Sequence, residues 1–117
     1  KTVLCDRFTD ASYAYQGGGR GIDKSRIMIL EKWVQEDLKP DVTLLFDLDS
    51  DTGLQRTKKR NNRDRFENEK IEFFEKVRAC YHDLANKEPE RFHIINSEKS
   101  IEHVKEQIKK IINNIVC

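Results

Sequence analysis

The sequence predicts an α/β fold built on a parallel sheet, and three observations carry that reading. Short apolar runs bounded by helix breakers occur at residues 42–48 and 92–95, with another at 3–5. Between and after them lie segments whose apolar residues repeat with the period of an amphipathic helix. The resulting order is strand, helix, strand, helix, helix, strand, helix, and such alternation joins parallel strands by crossovers.

Each element has a local reason. Val3-Leu4-Cys5 reads as the end of a short buried strand that delivers Asp6-Arg7 to its carboxyl end, with Cys5 as a small buried apolar residue. A small, polar segment then leads into Gly17-Gly18-Gly19-Arg20-Gly21, where the backbone has unusual freedom, as in a hinge or a close-approach loop. Asp23 is an N-cap for a helix with Ile27, Leu30, Trp33 and Val34 on one face, and Pro40-Asp41 breaks it. Residues 42–48 are nearly continuously apolar, as in a strand buried on both faces. Asp49 or Ser50 caps a helix that turns strongly basic. From about Glu69 a long helix carries Ile71, Phe74, Val77, Tyr81 and Leu84 until Pro89 ends it. After the strand at 92–95, a last helix follows Ser100 with Ile101, Val104, Ile108, Ile111 and Ile115 on one stripe.

Composition narrows the function classes. The 117 residues suit one domain with a modest core and no internal boundary. Lys and Arg number 22 against 21 Asp and Glu, a formal net charge of +1, which does not point to a protein that coats DNA or an anionic membrane. No apolar run approaches the roughly 20 residues of a membrane span, and the start carries no signal-peptide pattern. Three widely spaced cysteines form no CxxC pair, so neither a zinc site nor a disulfide framework is indicated and a reduced, cytoplasmic compartment is expected. The chain starts at Lys1 without Met and turns apolar at once, from which we expect that it continues a longer polypeptide.

Several constellations can carry chemistry. Asp6-Arg7 at a strand end is placed where ligands of open α/β sheets bind; the carboxylate can hold Mg²⁺ and the arginine can fork a phosphate, or the two can simply pair with each other. Ser12 and Gln16 share a helical face, and a Gln amide complements the imide edge of a pyrimidine; the plainer reading is a solvated helix start. Arg56, Lys58, Lys59, Arg60, Arg63 and Arg65 form a basic run interrupted by Asn61-Asn62. It reads as a nucleic-acid patch, as a solvated face, or as a lid whose arginines close over a polyphosphate. The lid is favoured by the absence of interleaved aromatics and by the loop-forming Asn pair. His82, His93 and His103 form no ligand pattern and read as surface residues, and Phe73, Phe74 and Tyr81 read as core. No GxxxxGK[ST] occurs in the chain.

Taken together, Asp6-Arg7-Phe8, the run from Ser12 to Asp23 (SYAYQGGGRGID), Pro40-Asp41-Val42-Thr43-Leu44, Gly53-Leu54-Gln55-Arg56, Asp64-Arg65-Phe66-Glu67, and the run from Phe73 to Arg78 with Tyr81 resemble the thymidylate kinase family of the bacterial type. The resemblance runs in register over essentially the whole chain. It implies a P-loop NTPase-type parallel sheet flanked by helices, here the C-terminal part of a single domain with three of five strands. It implies transfer of the ATP γ-phosphoryl group to dTMP with Mg²⁺, giving dTDP for dTTP biosynthesis. The resemblance places Asp6 at Mg²⁺, directly or through water, and near the acceptor phosphate, with Arg7 on the dTMP phosphate. Ser12 and Gln16 fall at the thymine edge, and Tyr15 near C2′, where it disfavours ribose. Counting from Gly53-Leu54, the catalytic lid arginine falls on Arg60 within a lid at 56–68. Arg56 and Arg65 flank ATP, and Asn96 lies beside adenine.

The loop after Arg60 departs from the family's Gly-Glu-Leu, which leaves a share of the lid role open to Arg63. The family's P-loop precedes the region matched, so isolated residues 1–117 are expected neither to fold stably nor to turn over dTMP. The full-length protein is expected to be a homodimer, without nucleic-acid or membrane partners. The alternatives are a kinase for another nucleotide or deoxynucleoside, and a non-catalytic nucleotide- or nucleic-acid-binding module.

Overall fold

Two strands, β1 (Thr43–Asp47) and β2 (Phe92–Asn96), run parallel and in register from Thr43 opposite Phe92 to Asp47 opposite Asn96 in the computed structural model of the chain. The structure describes residues 1–58 and 67–116. Helix α1 (Thr9–Ser12) passes directly into a π-helical stretch, Tyr13–Gly19; α2 (Lys24–Gln35) precedes β1. Helices α3 (Ser50–Lys58) and α4 (Glu67–Lys87) separate the strands, and α5 (Ile101–Val116) follows β2. The α/β class and the parallel pairing are as the sequence predicts.

Helix boundaries follow the expected caps. The Asp23 carboxylate accepts the Ser25 amide at 2.9 Å, and Asp49 accepts the Thr52 amide at 3.1 Å, each satisfying an orphan donor of a first turn. At the start of α5 the Ser100 hydroxyl accepts the His103 amide at 3.4 Å.

Helix α4 organises the packing. One side carries Val77 and Cys80 against Ala14, with Tyr15, Phe73, Tyr81 and Leu84 around them. Further along, Ala85 packs on Leu45 and Phe92 of the sheet. The glycine triplet is therefore not the loop expected from the sequence, although the expected close approach is real. A Cβ built on Gly18 would stand 2.7 Å from Cys80 Cβ, and one on Gly19 2.5 Å from the Phe73 ring. The stretch ends at Gly19, and two residues on the chain turns at Gly21, whose φ of 73° suits a residue without Cβ; the Gly21 and Ile22 amides return to the carbonyls of Gly17 and Gln16.

Three expectations are corrected. Residues 3–5 form no strand, so the described sheet has two strands rather than three: among the described residues no neighbour receives their amides and carbonyls, and Val3 and Leu4 are 84% and 94% exposed. For the same reason Cys5 is exposed rather than buried. Strand β1 is not covered on both faces either: Leu45 is buried beneath α4, whereas Phe46, pointing the other way, is 54% exposed. No helix of the described residues is long and apolar enough to cross a membrane.

Candidate active site

Beyond the carboxyl end of β1 the chain turns into α3, and the turn borders a cavity of about 300 Å³ that α4 and Tyr15 close. Asp47 ends the strand and faces the cavity. Arg78 of α4 grips it with both fork positions, Nε to Oδ1 at 2.8 Å and Nη2 to Oδ2 at 3.1 Å. His82, one turn on, adds Nε2 at 3.1 Å from Oδ1. The Arg78 hydrogen bonds, above all, hold the Asp47 carboxyl below its ordinary range, against the opposing effect of burial. His82 is at the surface as expected, 36% exposed, and also belongs to this cluster. Phe74 of the aromatic stripe also borders the cavity and is partly exposed, while Phe73 and Tyr81 pack as expected.

The π-helical stretch sets Tyr15 against α4. Its ring centroid lies 6.1 Å from Phe73 and 6.4 Å from Tyr81, the second pair edge to face. Burial is the main reason that the Tyr81 phenol is pushed up to about 12. On the remaining side the Arg7 guanidinium carbon sits 4.9 Å over the Tyr15 ring centre. Arg7 has a φ of 58°, the left-handed region that a residue with a Cβ seldom occupies outside functional sites and tight turns. Among the described residues its guanidinium makes no salt bridge. Arg7 and Tyr15, both predicted from the sequence, are therefore brought together.

Asp6 lies beside Arg7 but is not paired with it; its side chain is exposed. A hard carboxylate open to solvent next to an arginine fits Mg²⁺, which is commonly held by one or two carboxylates together with the substrate's phosphates. No group of three or more metal-binding side chains occurs among the described residues. Ser12 and Gln16 are exposed near the same stretch.

Two further predicted residues, Arg56 and Asn96, lie at the end of the other strand. Arg56 reaches from α3 across to the loop after β2, donating Nη1 to the Ser97 carbonyl at 2.8 Å and Nη2 to the Glu98 carbonyl at 3.3 Å. Asn96 opens this loop. Its amide and carbonyl are both met by the Gln107 side chain, at 2.9 and 3.1 Å. Arg60 and Arg65, like Arg63 and most of the expected lid, lie outside the described residues.

Sequence reasoning missed the Arg78 grip on Asp47, the Gln107 contact, and a clasp on the far side of the sheet. There Arg91 joins Asp10, Glu88 and Thr43. Apart from Glu88 and Arg91, three residues apart, the partners lie far apart in the chain, so no spacing rule connects them; a charged residue at either end of a strand was the available signal.

The comparisons with known proteins agree with one another. A family model described as Thymidylate kinase matches residues 1–108. A thymidylate kinase of Pseudomonas putida strain F1 is 49% identical over 114 residues, 97% of this chain and 54% of that protein. One of Pseudomonas syringae pv. tomato strain DC3000 is 47% identical, covering 99% and 55%. The crystal structure of thymidylate kinase from Ehrlichia chaffeensis superposes with a TM-score of 0.70 at 32% identity, over 100% of this chain and 52% of that one. The chain spans about half the length of the curated relatives it matches. A match of this extent, in sequence and in fold, establishes that the chain belongs to the thymidylate kinase family.

Proposed function

We propose that the chain works within a longer polypeptide as the acceptor-side and lid-bearing part of a dTMP kinase, which moves the ATP γ-phosphoryl group to dTMP and releases dTDP. The observation that carries this reading is the Arg7 guanidinium laid on the Tyr15 ring in a member of the thymidylate kinase family. A guanidinium that meets a ring rather than a carboxylate has donors left for a bidentate oxyanion, which the dTMP phosphate supplies.

Phosphoryl transfer asks the protein for position and charge rather than covalent chemistry. In this reading Arg7 orients the acceptor phosphate, Ser12 and Gln16 meet the thymine edge, and Tyr15 crowds C2′ against a ribose hydroxyl. Asp6 holds Mg²⁺, which supplies charge neutralisation on the phosphates when bound. Arg56 and Asn96 serve the ATP side with Arg65, and Arg60 brings positive charge to the transferred group. Asp47, Arg78 and His82 fix the turn into α3 and hence the base of the lid.

Ile29, Leu30, Trp33 and Val34 of α2 are exposed in this chain, and such apolar surface, costly in water, supports a homodimer of the full-length protein. A cytoplasmic location accords with this reading. The test is dTDP formation from ATP and dTMP by the full-length protein. Loss of at least a hundredfold in kcat/KM for dTMP in Arg7→Ala, with other nucleoside monophosphates poor acceptors, is the expected result; an acceptor preference for another nucleotide overturns it.

A further inference from the structure

We propose that Tyr15 is a positioning residue for Arg7: its ring face holds the guanidinium flat and turns the N–H edges toward a phosphate monoester. The inference deepens the dTMP reading and rests on it, but gives Tyr15 a duty toward the phosphate besides its contact with the sugar. Three features of the structure carry it.

First, the Tyr15 ring is itself held in place. It stands on the π-helical stretch and is braced by Phe73 and Tyr81, at 6.1 and 6.4 Å between centroids. A braced ring is a platform, whereas a free one would follow the arginine. Second, Arg7 has little else to orient it. The segment before α1 is exposed; near this point the Cys5 thiol makes a weak contact to the Arg7 carbonyl at 3.7 Å and the Phe8 carbonyl accepts the Ala11 amide at 3.0 Å, and neither bond touches the Arg7 side chain. The left-handed φ of 58° persists in a residue with a Cβ only when the surroundings favour it, and the described contact of this side chain is the Tyr15 ring at 4.9 Å. Third, no carboxylate among the described residues takes the fork. A guanidinium held over the ring through its face keeps its edge N–H donors, two parallel bonds that an incoming oxyanion can take.

The test uses dTMP and thymidine, which share base and sugar and differ by the phosphate. Their affinities for the full-length protein are measured by calorimetry in wild type, Tyr15→Phe and Tyr15→Leu. The dTMP-to-thymidine affinity ratio is expected to fall about two- to fivefold in Tyr15→Leu and to hold in Tyr15→Phe, which keeps the ring. The Arg7 δ-proton resonances are expected upfield of random-coil values in wild type, through the ring current. An equal loss of affinity for both ligands in Tyr15→Leu, or an unchanged ratio, overturns the inference, because Tyr15 then serves the nucleoside alone. Random-coil Arg7 resonances in wild type also overturn it, and they need no variant to fold. Wild-type protein that binds neither ligand overturns the dTMP reading itself and this inference with it, while the resonances still report whether the two side chains touch.

Discussion

Arg91 and Asp10 stand 81 positions apart in sequence, yet both guanidinium Nη atoms meet the Asp10 carboxylate, at 2.6 and 3.0 Å. The same guanidinium bonds Thr43 Oγ1 at 2.7 Å and the Glu88 carboxylate, and its side chain is only 13% exposed. One residue thereby ties α1, the first position of β1, and the turn between α4 and β2. Since α1 leads directly into the stretch that bears Tyr15 and Gln16, the clasp connects the sheet to the acceptor side of the site.

Removing Arg91 leaves the Asp10 carboxylate, only 16% exposed, without its ion-pair partner, and leaves Glu88 with Lys39 at 3.3 Å. Arg91→Ala in the full-length protein is expected to lose about 3 kcal/mol of unfolding free energy, and Asp10→Asn about 1.5. Urea denaturation monitored by circular dichroism measures both. Equal, negligible losses would mean that solvent, rather than the clasp, satisfies these charges.

The glycine triplet makes a second prediction, of opposite physical origin. Gly18→Ala places a methyl group 2.7 Å from Cys80 Cβ and 3.1 Å from the Lys76 carbonyl oxygen, in helix α4 itself, so the two helices must separate. A loss of about 1–3 kcal/mol is expected, larger than for Gly17→Ala, where the nearest atom is the flexible tip of Ile27 at 3.3 Å. Thermal unfolding of the two variants, side by side, measures the difference.

Acid sensitivity follows from two carboxyls. Arg78 holds Asp47 below its ordinary 3.8, and Arg91 holds Glu88 below its ordinary 4.5. Both pKa values are lower folded than unfolded, so the stability they lend is complete above those ordinary values. It drains as pH falls through the lowered native ones. Urea midpoints are expected to stay level from about pH 7 to 5.5 with respect to these groups and to drop below about 4.5, less steeply in Arg78→Met, where Asp47 has lost its fork.

Arg56 is expected to act on the ATP side alone. Its fork on the Ser97 and Glu98 carbonyls fixes the loop that Asn96 opens. Arg56→Ala in the full-length protein is predicted to raise KM for ATP about three- to tenfold while KM for dTMP changes little, as steady-state kinetics with each substrate varied will show.

The α/β class, both parallel strands and the helix starts at Asp23 and Asp49 were legible in the sequence, because each depends on local period or a local cap. The strand expected at residues 3–5 was not a local matter: a strand exists only when another receives its amides, and Val3 and Leu4 find none among the described residues. The glycines looked like a loop since three in a row weaken a helix, yet here tertiary packing decides; α4 can approach only where Cβ atoms are missing. Of the candidate site, Arg7 with Tyr15 and Arg56 with the Asn96 loop lie together, whereas the cluster of Asp47 with Arg78 and His82 joins Asp47 to residues 31 or more positions away and left only the strand-end charge of Asp47 as a signal. Arg60, Arg63 and Arg65 fall outside the described residues.

The central claim is that this chain supplies the acceptor side of a dTMP kinase through Arg7. The most direct measurement is the rate of dTDP formation by the full-length protein, with dTMP and competing nucleoside monophosphates offered together with ATP and Mg²⁺, for wild type and Arg7→Ala. The account predicts dTMP as the preferred acceptor and its turnover nearly abolished in Arg7→Ala. Preference for a different acceptor, or undiminished dTMP turnover without Arg7, would contradict it.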